Sequence, residues 1–215
     1  MVPDYVGPYG ADDSVAQAPY ATRIAFARWA TLGVSAGVIV AMGMASLLPF
    51  LPREVFVGSV LALGLAYAAR RVLVDRPGED LAAGVTCSLA FGVIALGFAL
   101  QPSVGLGMAG AAVGHLIYTA LVRRDFSFVG LGISGAALGL LASFVTLEHR
   151  WSAAGFGFAW GIGFCVLLPL VMRRRRPDQL VMAVADLPSE PLAIVVQAGR
   201  ILKIMARYSW RSRSQ

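Results

Sequence analysis

Six long apolar stretches follow one another in this chain, and they constrain its fold more than any other feature. Most of them approach the length of about 20 apolar residues that a helix needs to cross the hydrocarbon core of a bilayer. They are rich in Gly, Ala and Leu and lie at residues 29–51, 55–67, 81–100, 104–122, 126–147 and 151–172. This pattern predicts an all-α, polytopic membrane protein with six transmembrane helices.

The amino-acid composition indicates that these stretches are surrounded by lipid and not by water. Hydrophobic residues make up 58% of the chain and charged residues 14%, whereas about 25% of the residues in a soluble domain are charged. The second stretch is the shortest, and it extends to about residue 74 if Arg70 and Arg71 reach the headgroups along their aliphatic stems. We therefore divide the chain into an irregular cytoplasmic arm at 1–22, a transmembrane domain at 23–176 and a basic cytoplasmic tail at 177–215.

The arginines predict the orientation in the membrane. They cluster before the first stretch and after the second, fourth and sixth, and they recur in the tail. With both termini in the cytoplasm, Arg53 and Arg150 alone lie outside, which leaves 16 of the 18 basic residues inside, as the positive-inside rule requires. We predict a multi-pass protein of the cell inner (plasma) membrane with cytoplasmic N and C termini.

Parts of the sequence recur at an offset of 50 residues. Pro52 aligns with Pro102, Gly64 with Gly114 and Asp75 with Asp125. The repeat predicts three tandem helical hairpins that turn at the outer surface. Any six-helix protein with short loops and the same charge rule would also look periodic, so true repetition and coincidence both remain open.

The hairpins resemble those of the HdeD family of bacterial six-helix membrane proteins. The resemblance covers about residues 30–172 and rests on "LLPFLPREV" and "FALQPSVGLGMAG", each followed by a glycine-spaced return helix. The third hairpin departs from it, with "TLEHRWSAAG" in place of a proline turn. The resemblance implies a membrane protein linked to acid stress, and it supplies no catalytic residues.

Small residues recur at spacing four on several stretches. Close approach across such residues supplies much of helix packing in lipid. The pairs are Gly33 and Gly37, Gly107 and Ala111, Gly110 and Gly114, Gly135 and Gly139, and Gly157 and Gly161. They predict tight helix contacts within one bundle, with contacts between subunits as the alternative.

One ionisable residue, His115, lies near the middle of the fourth stretch, with Tyr118 and Thr119 nearby on the same helix. An ionisable side chain at that depth is a hypothesis for a functional site, such as a proton relay or a ligand contact. The alternative is a neutral imidazole that is hydrogen-bonded to Thr119, to a backbone carbonyl or to a neighbouring helix. We predict no metal site, because one histidine falls short of the usual four zinc ligands. The sequence indicates no cofactor.

Two motifs that suggest an enzyme do not hold up. Ser134 lies in a G-x-S-G string similar to that of rhomboid intramembrane proteases, but no histidine follows in the last stretch to activate it. Cys165 is faintly similar to the cysteine-proline motif of membrane thiol-disulfide transporters, yet only Pro169 is near. We therefore predict that the protein is not an enzyme.

The long apolar stretches end at four arginines, Arg173, Arg174, Arg175 and Arg176, and the tail that follows is rich in prolines and basic residues. Pro177, Pro188 and Pro191 are expected to stop the last helix, and Ser189 is expected to cap a new one running to about Tyr208. One narrow arc of that predicted helix carries Arg200, Lys203, Arg207 and Arg211. This pattern is typical of an amphipathic helix lying on anionic lipid, although a partner subunit could bind the same face.

These features favour a non-enzymatic membrane scaffold, or an accessory subunit of a larger membrane assembly. Its predicted partners are the lipid bilayer, anionic lipids and other membrane subunits or further copies of the chain, and not nucleic acid. The alternative is a channel or transporter for ions or small solutes, with a path past His115.

Overall fold

The computed structural model describes residues 13–47, 52–73, 78–122, 126–145 and 149–189, without the side chains of Arg53 and Arg71. The described chain is helical almost throughout. A short 3-10 helix at Val15–Gln17 precedes six long helices, α1 (Tyr20–Ala45), α2 (Arg53–Val72), α3 (Glu79–Leu100), α4 (Pro102–Leu121), α5 (Phe128–Ser143) and α6 (Arg150–Arg174). A further helix, α7, occupies Leu180–Ser189.

Four helices, α1, α3, α4 and α6, are long and apolar enough to cross a membrane. This confirms the prediction of an all-helical chain with the character of a multi-pass membrane protein. The helix α5 has 16 residues and is about 24 Å long at 1.5 Å per residue. The helix α2 carries Arg70 close to its C-terminal end.

Local sequence explains where several helices begin. Gly78 precedes α3 with φ of 100°, a left-handed conformation that glycine adopts at little cost. Glu79 and Asp80 then occupy the first turn of α3, where negative charge interacts favourably with the helix dipole. Pro102 begins α4 at a position where its missing N–H costs nothing. Ser127 caps α5 by accepting a hydrogen bond from the Gly130 amide at 3.3 Å.

The helices α4, α5 and α6 pack against one another more extensively than any other group of helices. The helix α1 packs on α4, α3 packs on α1, and α2 packs on α3. Of the three predicted hairpins, the described residues therefore place only α5 and α6 in extensive contact. The contact between α3 and α4 is smaller, and α1 and α2 share none of comparable extent. The tandem-hairpin arrangement stays a prediction.

The predicted glycine interfaces lie inside the bundle. Gly157 of α6 faces the backbone of Gly139 on α5 and that of Gly107 on α4. Gly161 faces Gly135 and Ala136, and Gly114 faces the backbone of Ser134. These positions confirm the prediction of close helix contacts within one chain, because any side chain there would meet a neighbouring backbone.

The helix α7 differs from the prediction, which expected the prolines after the last span to interrupt helical structure. Pro188 lies within α7, and the Ser189 hydroxyl donates hydrogen bonds to the carbonyls of Ala185 and Asp186. Ser189 is thus the last described residue of one helix, and its predicted role as the N-cap of another is wrong. Pro188 has no N–H to donate to the Val184 carbonyl, so one backbone hydrogen bond of α7 is missing there. The predicted helix at 190–208 lies outside the described residues.

Candidate functional site

His115 lies on the side of α4 that faces α5 and α6, and its exposed fraction is 0%. Its imidazole is packed against Gly135 of α5. On α6, the ring of Phe164 has its centroid 4.8 Å from that of the imidazole. The histidine is enclosed because glycines on the facing helices leave room for one ring and bring the backbones close around it.

The polar atoms of this ring are poorly satisfied. Both His115 nitrogens are buried, and neither has a hydrogen bond of good geometry among the described residues, although the backbone of Gly161 lies within reach of the ring. The nearby Thr119 hydroxyl donates instead to the His115 backbone carbonyl at 2.7 Å. A buried polar group without a good hydrogen bond costs up to about 1–3 kcal/mol, so we expect the imidazole to reduce the stability of the bundle.

Tyr118 points to a different place. Its hydroxyl accepts a hydrogen bond from the Ser127 amide at 2.8 Å, and its ring packs edge-on against Phe126 with centroids 5.6 Å apart. Tyr118 therefore ties the end of α4 to the start of α5. The structure does not bring the three predicted site residues together around one space.

The surroundings of His115 offer neither a metal site nor an activated serine. Within the described ranges, no three His, Cys, Asp or Glu side chains are grouped so that they could hold a metal ion. The Ser134 hydroxyl donates to the Leu131 carbonyl on its own helix at 2.8 Å. Cys87 and Cys165 are both free thiols and partly buried.

A buried network of charged side chains lies where α2 and α6 end and α3 begins, and sequence reasoning missed it. Asp186 of α7 bridges two arginines: its Oδ1 is 2.8 Å from Nη1 of Arg70, and its Oδ2 is 2.6 Å from Nε of Arg175. Nη1 of Arg175 also lies 3.4 Å from a carboxylate oxygen of Glu79. We call these four residues the ion network.

The ion network joins segments that are distant in sequence. Arg70 comes from the end of α2, Glu79 from the start of α3, Arg175 from the residue after α6, and Asp186 from α7. Two positive and two negative charges balance one another there. Arg70, which was predicted to extend to the headgroups, has an exposed fraction of 4% and ends at Asp186.

The signal for this network was present in the sequence. Glu79 and Asp186 are carboxylates that flank arginine-rich segments, but a charge count cannot show which arginine meets which acid across the bundle. The pairing requires the path of the chain after α6, which turns back and returns as α7.

The four-arginine cluster after α6, predicted to bind the membrane surface or a partner, is divided in the structure. Arg175 points into the ion network, whereas Arg176 forms an exposed pair with Asp178 at 2.9 Å. Arg173 is exposed and Arg174 is partly buried. The other predicted surface residues, Arg200, Lys203, Arg207 and Arg211, lie outside the described residues.

Segments from both ends of the described chain dock at the same place. The Val15 amide donates to the Arg175 carbonyl at 2.8 Å, and the Val15 side chain is fully buried. On α7, Ala183 and Leu187 belong to the same apolar cluster as Val15. We call this part of the molecule, which contains the ion network, the end of α6 and both docked segments, the basic end.

The chain matches no protein-family model, no curated protein and no solved structure. The resemblance to the HdeD family stays a prediction.

Proposed function

We propose that this protein is a non-enzymatic scaffold or accessory subunit of a larger membrane assembly in the cell inner membrane. The observation that carries the proposal is the basic end, where segments from both ends of the described chain are fixed to the helical bundle. A scaffold needs such a platform, because its partners must find its binding segments in a constant position.

Two kinds of contact hold α7 on this platform. Asp186 joins α7 to α2 and to the end of α6 through the ion network. Val184 lies against Gly33 of α1, and Met182 and Ala185 pack with Ala83 of α3. The basic residues at 190–215 therefore continue from a fixed helix, which supports their use in contacts with anionic lipids or a partner subunit.

In this proposal six helices cross the bilayer and the basic end faces the cytoplasm. The short α5 is accommodated because it packs between α4 and α6, and a bilayer adapts to a short span at modest cost. The contacts at the basic end support a common side for the ends of α2 and α6 and the start of α3, and the arginines of that side favour the cytoplasm. Nucleic acid is not among the proposed partners.

The alternative function, a channel or transporter with a path past His115, receives less support from the packing. A path needs space or a broken helix near the midplane. Around His115, Gly114 faces the Ser134 backbone, and Gly135 faces Gly161. Helices that approach this closely favour a closed packing core over a conduit.

The mass of the gently extracted particle separates the two functions. We expect native extraction into lipid nanodiscs to yield a particle in which this chain copurifies stoichiometrically with at least one different membrane protein. A homogeneous particle of this chain alone that passes ions or solutes in liposomes would establish the alternative and overturn the scaffold.

Replacing His115 by Leu tests the same choice at one residue. We expect H115L to keep the particle intact and to raise the free energy of unfolding by about 1 kcal/mol, because it removes a buried polar ring that is poorly hydrogen-bonded. Unfolding in a detergent titration, followed by circular dichroism, measures this change. A pH-dependent flux that is present in the parent protein and lost in H115L would contradict the proposed function.

A further inference from the structure

A cleft of about 160 Å³ opens at the basic end, apart from His115 and from the ion network. Its walls come from the segment before α1, the first turns of α1, the residue Phe126 before α5, the start of α5, and the last turns of α6. The apolar lining residues are Ala16, Ile24, Phe126, Phe128, Pro169 and Met172, and the polar ones are Tyr20, Arg23 and Arg173.

The charge of the cleft has one sign. Arg23 and Arg173 line it, and no described carboxylate does. Neither arginine forms an ion pair with any residue that the structure describes. The Nε of Arg23 is buried and lacks a hydrogen-bond partner among those residues. The remaining donors of these guanidinium groups are suited to an anion, and to phosphate above all.

The lining also predicts the other part of the ligand. An apolar cavity of roughly 150 Å³ holds a molecule as small as benzene, and sites that enclose whole ligands measure roughly 300–1,000 Å³. This cleft therefore fits one apolar segment of a longer molecule.

The guanidinium group of Arg23 is positioned at the cleft by Tyr20, because its carbon lies 5.7 Å from the centroid of the Tyr20 ring.

We propose that this cleft binds one anionic phospholipid, with the phosphate on Arg23 and Arg173 and the first part of an acyl chain against Phe126, Phe128 and Met172. The position suits this ligand, because the cleft lies at the arginine-rich end of the bundle, where the headgroups of the cytoplasmic leaflet would be. The lipid would bridge α1 and α6, two helices that have little direct contact with each other.

Native mass spectrometry of the full-length protein tests the site. The protein is titrated with phosphatidylglycerol and with phosphatidylcholine that carry the same acyl chains. We expect one phosphatidylglycerol to be retained more tightly than phosphatidylcholine. R23Q and R173Q should each weaken its retention about tenfold, as expected for the loss of a charge-assisted hydrogen bond.

Two further variants separate the effect of the cleft from the effect of positive charge alone. R28Q removes a charge from the same helix at a position that does not line the cleft, and it should retain the lipid like the parent protein. A16F fills the cleft, leaves both arginines in place and should weaken retention. Equal retention of the two lipids, an equal loss in R28Q and R23Q, or displacement of the lipid by inorganic phosphate would overturn the proposal.

Discussion

Replacing Gly161 by Ala should destabilise the protein by about 2–3 kcal/mol, because the new methyl group would overpack a helix interface. A Cβ at this position would lie 2.6 Å from the carbonyl carbon of Gly135 and 2.7 Å from Cα of Ala136. Both are backbone atoms, which cannot move aside as a flexible side chain would. The helices α5 and α6 would have to separate, and the packing around His115 would be lost with them. The free energy of unfolding in a detergent titration measures the effect.

Gly163 provides a matched control on the same helix. A Cβ at Gly163 would meet no described atom within 4 Å. We expect G163A to change the free energy of unfolding by no more than about 1 kcal/mol, and in the stabilising direction, because alanine favours helix over glycine. If G161A and G163A were equally stable, α5 and α6 could not approach each other as closely as described.

Replacing Asp186 by Ala should release α7 from the bundle at a cost of about 3–5 kcal/mol, the effect of removing one partner from a buried ion pair. The change would leave Glu79 as the one carboxylate of the ion network beside Arg70 and Arg175, so that the network would carry a net positive charge in a buried place. Hydrogen exchange of the backbone amides at 180–189 should become much faster. Exchange measured by mass spectrometry on the nanodisc-bound protein reports this directly.

Asp178 is the control for this change, because it lies on the same segment and also pairs with an arginine. Its side chain is 66% exposed and that of Arg176 is 44% exposed, and exposed pairs contribute no more than about 1 kcal/mol. We expect D178A to leave exchange at 180–189 unchanged. Equal protection of α7 in D186A and in the parent protein would show that the ion network does not hold this helix in place.

The parts of the fold that sequence predicted well depend on local composition. Apolar runs located all six long helices, and most boundaries moved by a few residues, although α1 begins at Tyr20 and not at residue 29. The spacing-four glycines predicted contact surfaces because a small residue has the same consequence on any helix: the neighbouring backbone can come close. Gly139, Gly157 and Gly161 act in this way.

The parts that sequence missed depend on the path of the chain. Local rules suggested a break between Pro177 and Pro191, whereas α7 is stabilised by packing of Ala183 and Leu187 in the common apolar cluster. The ion network follows from that packing, because it brings Asp186 to Arg70 and Arg175. His115 was predicted to lie near the middle of a long apolar helix, but its separation from Tyr118 depends on how α5 crosses α4.

Labelling from the two sides of the membrane tests the central claim, that this bundle spans a bilayer with its basic end in the cytoplasm. Single cysteines are placed at Arg176, in the basic end, and at His149, before α6, in a background with both native cysteines replaced by Ala. Both positions are exposed, and a membrane-impermeant thiol reagent is applied to intact spheroplasts. We expect H149C to react at once and R176C to react only after permeabilisation. Reaction of R176C in intact spheroplasts would contradict the account.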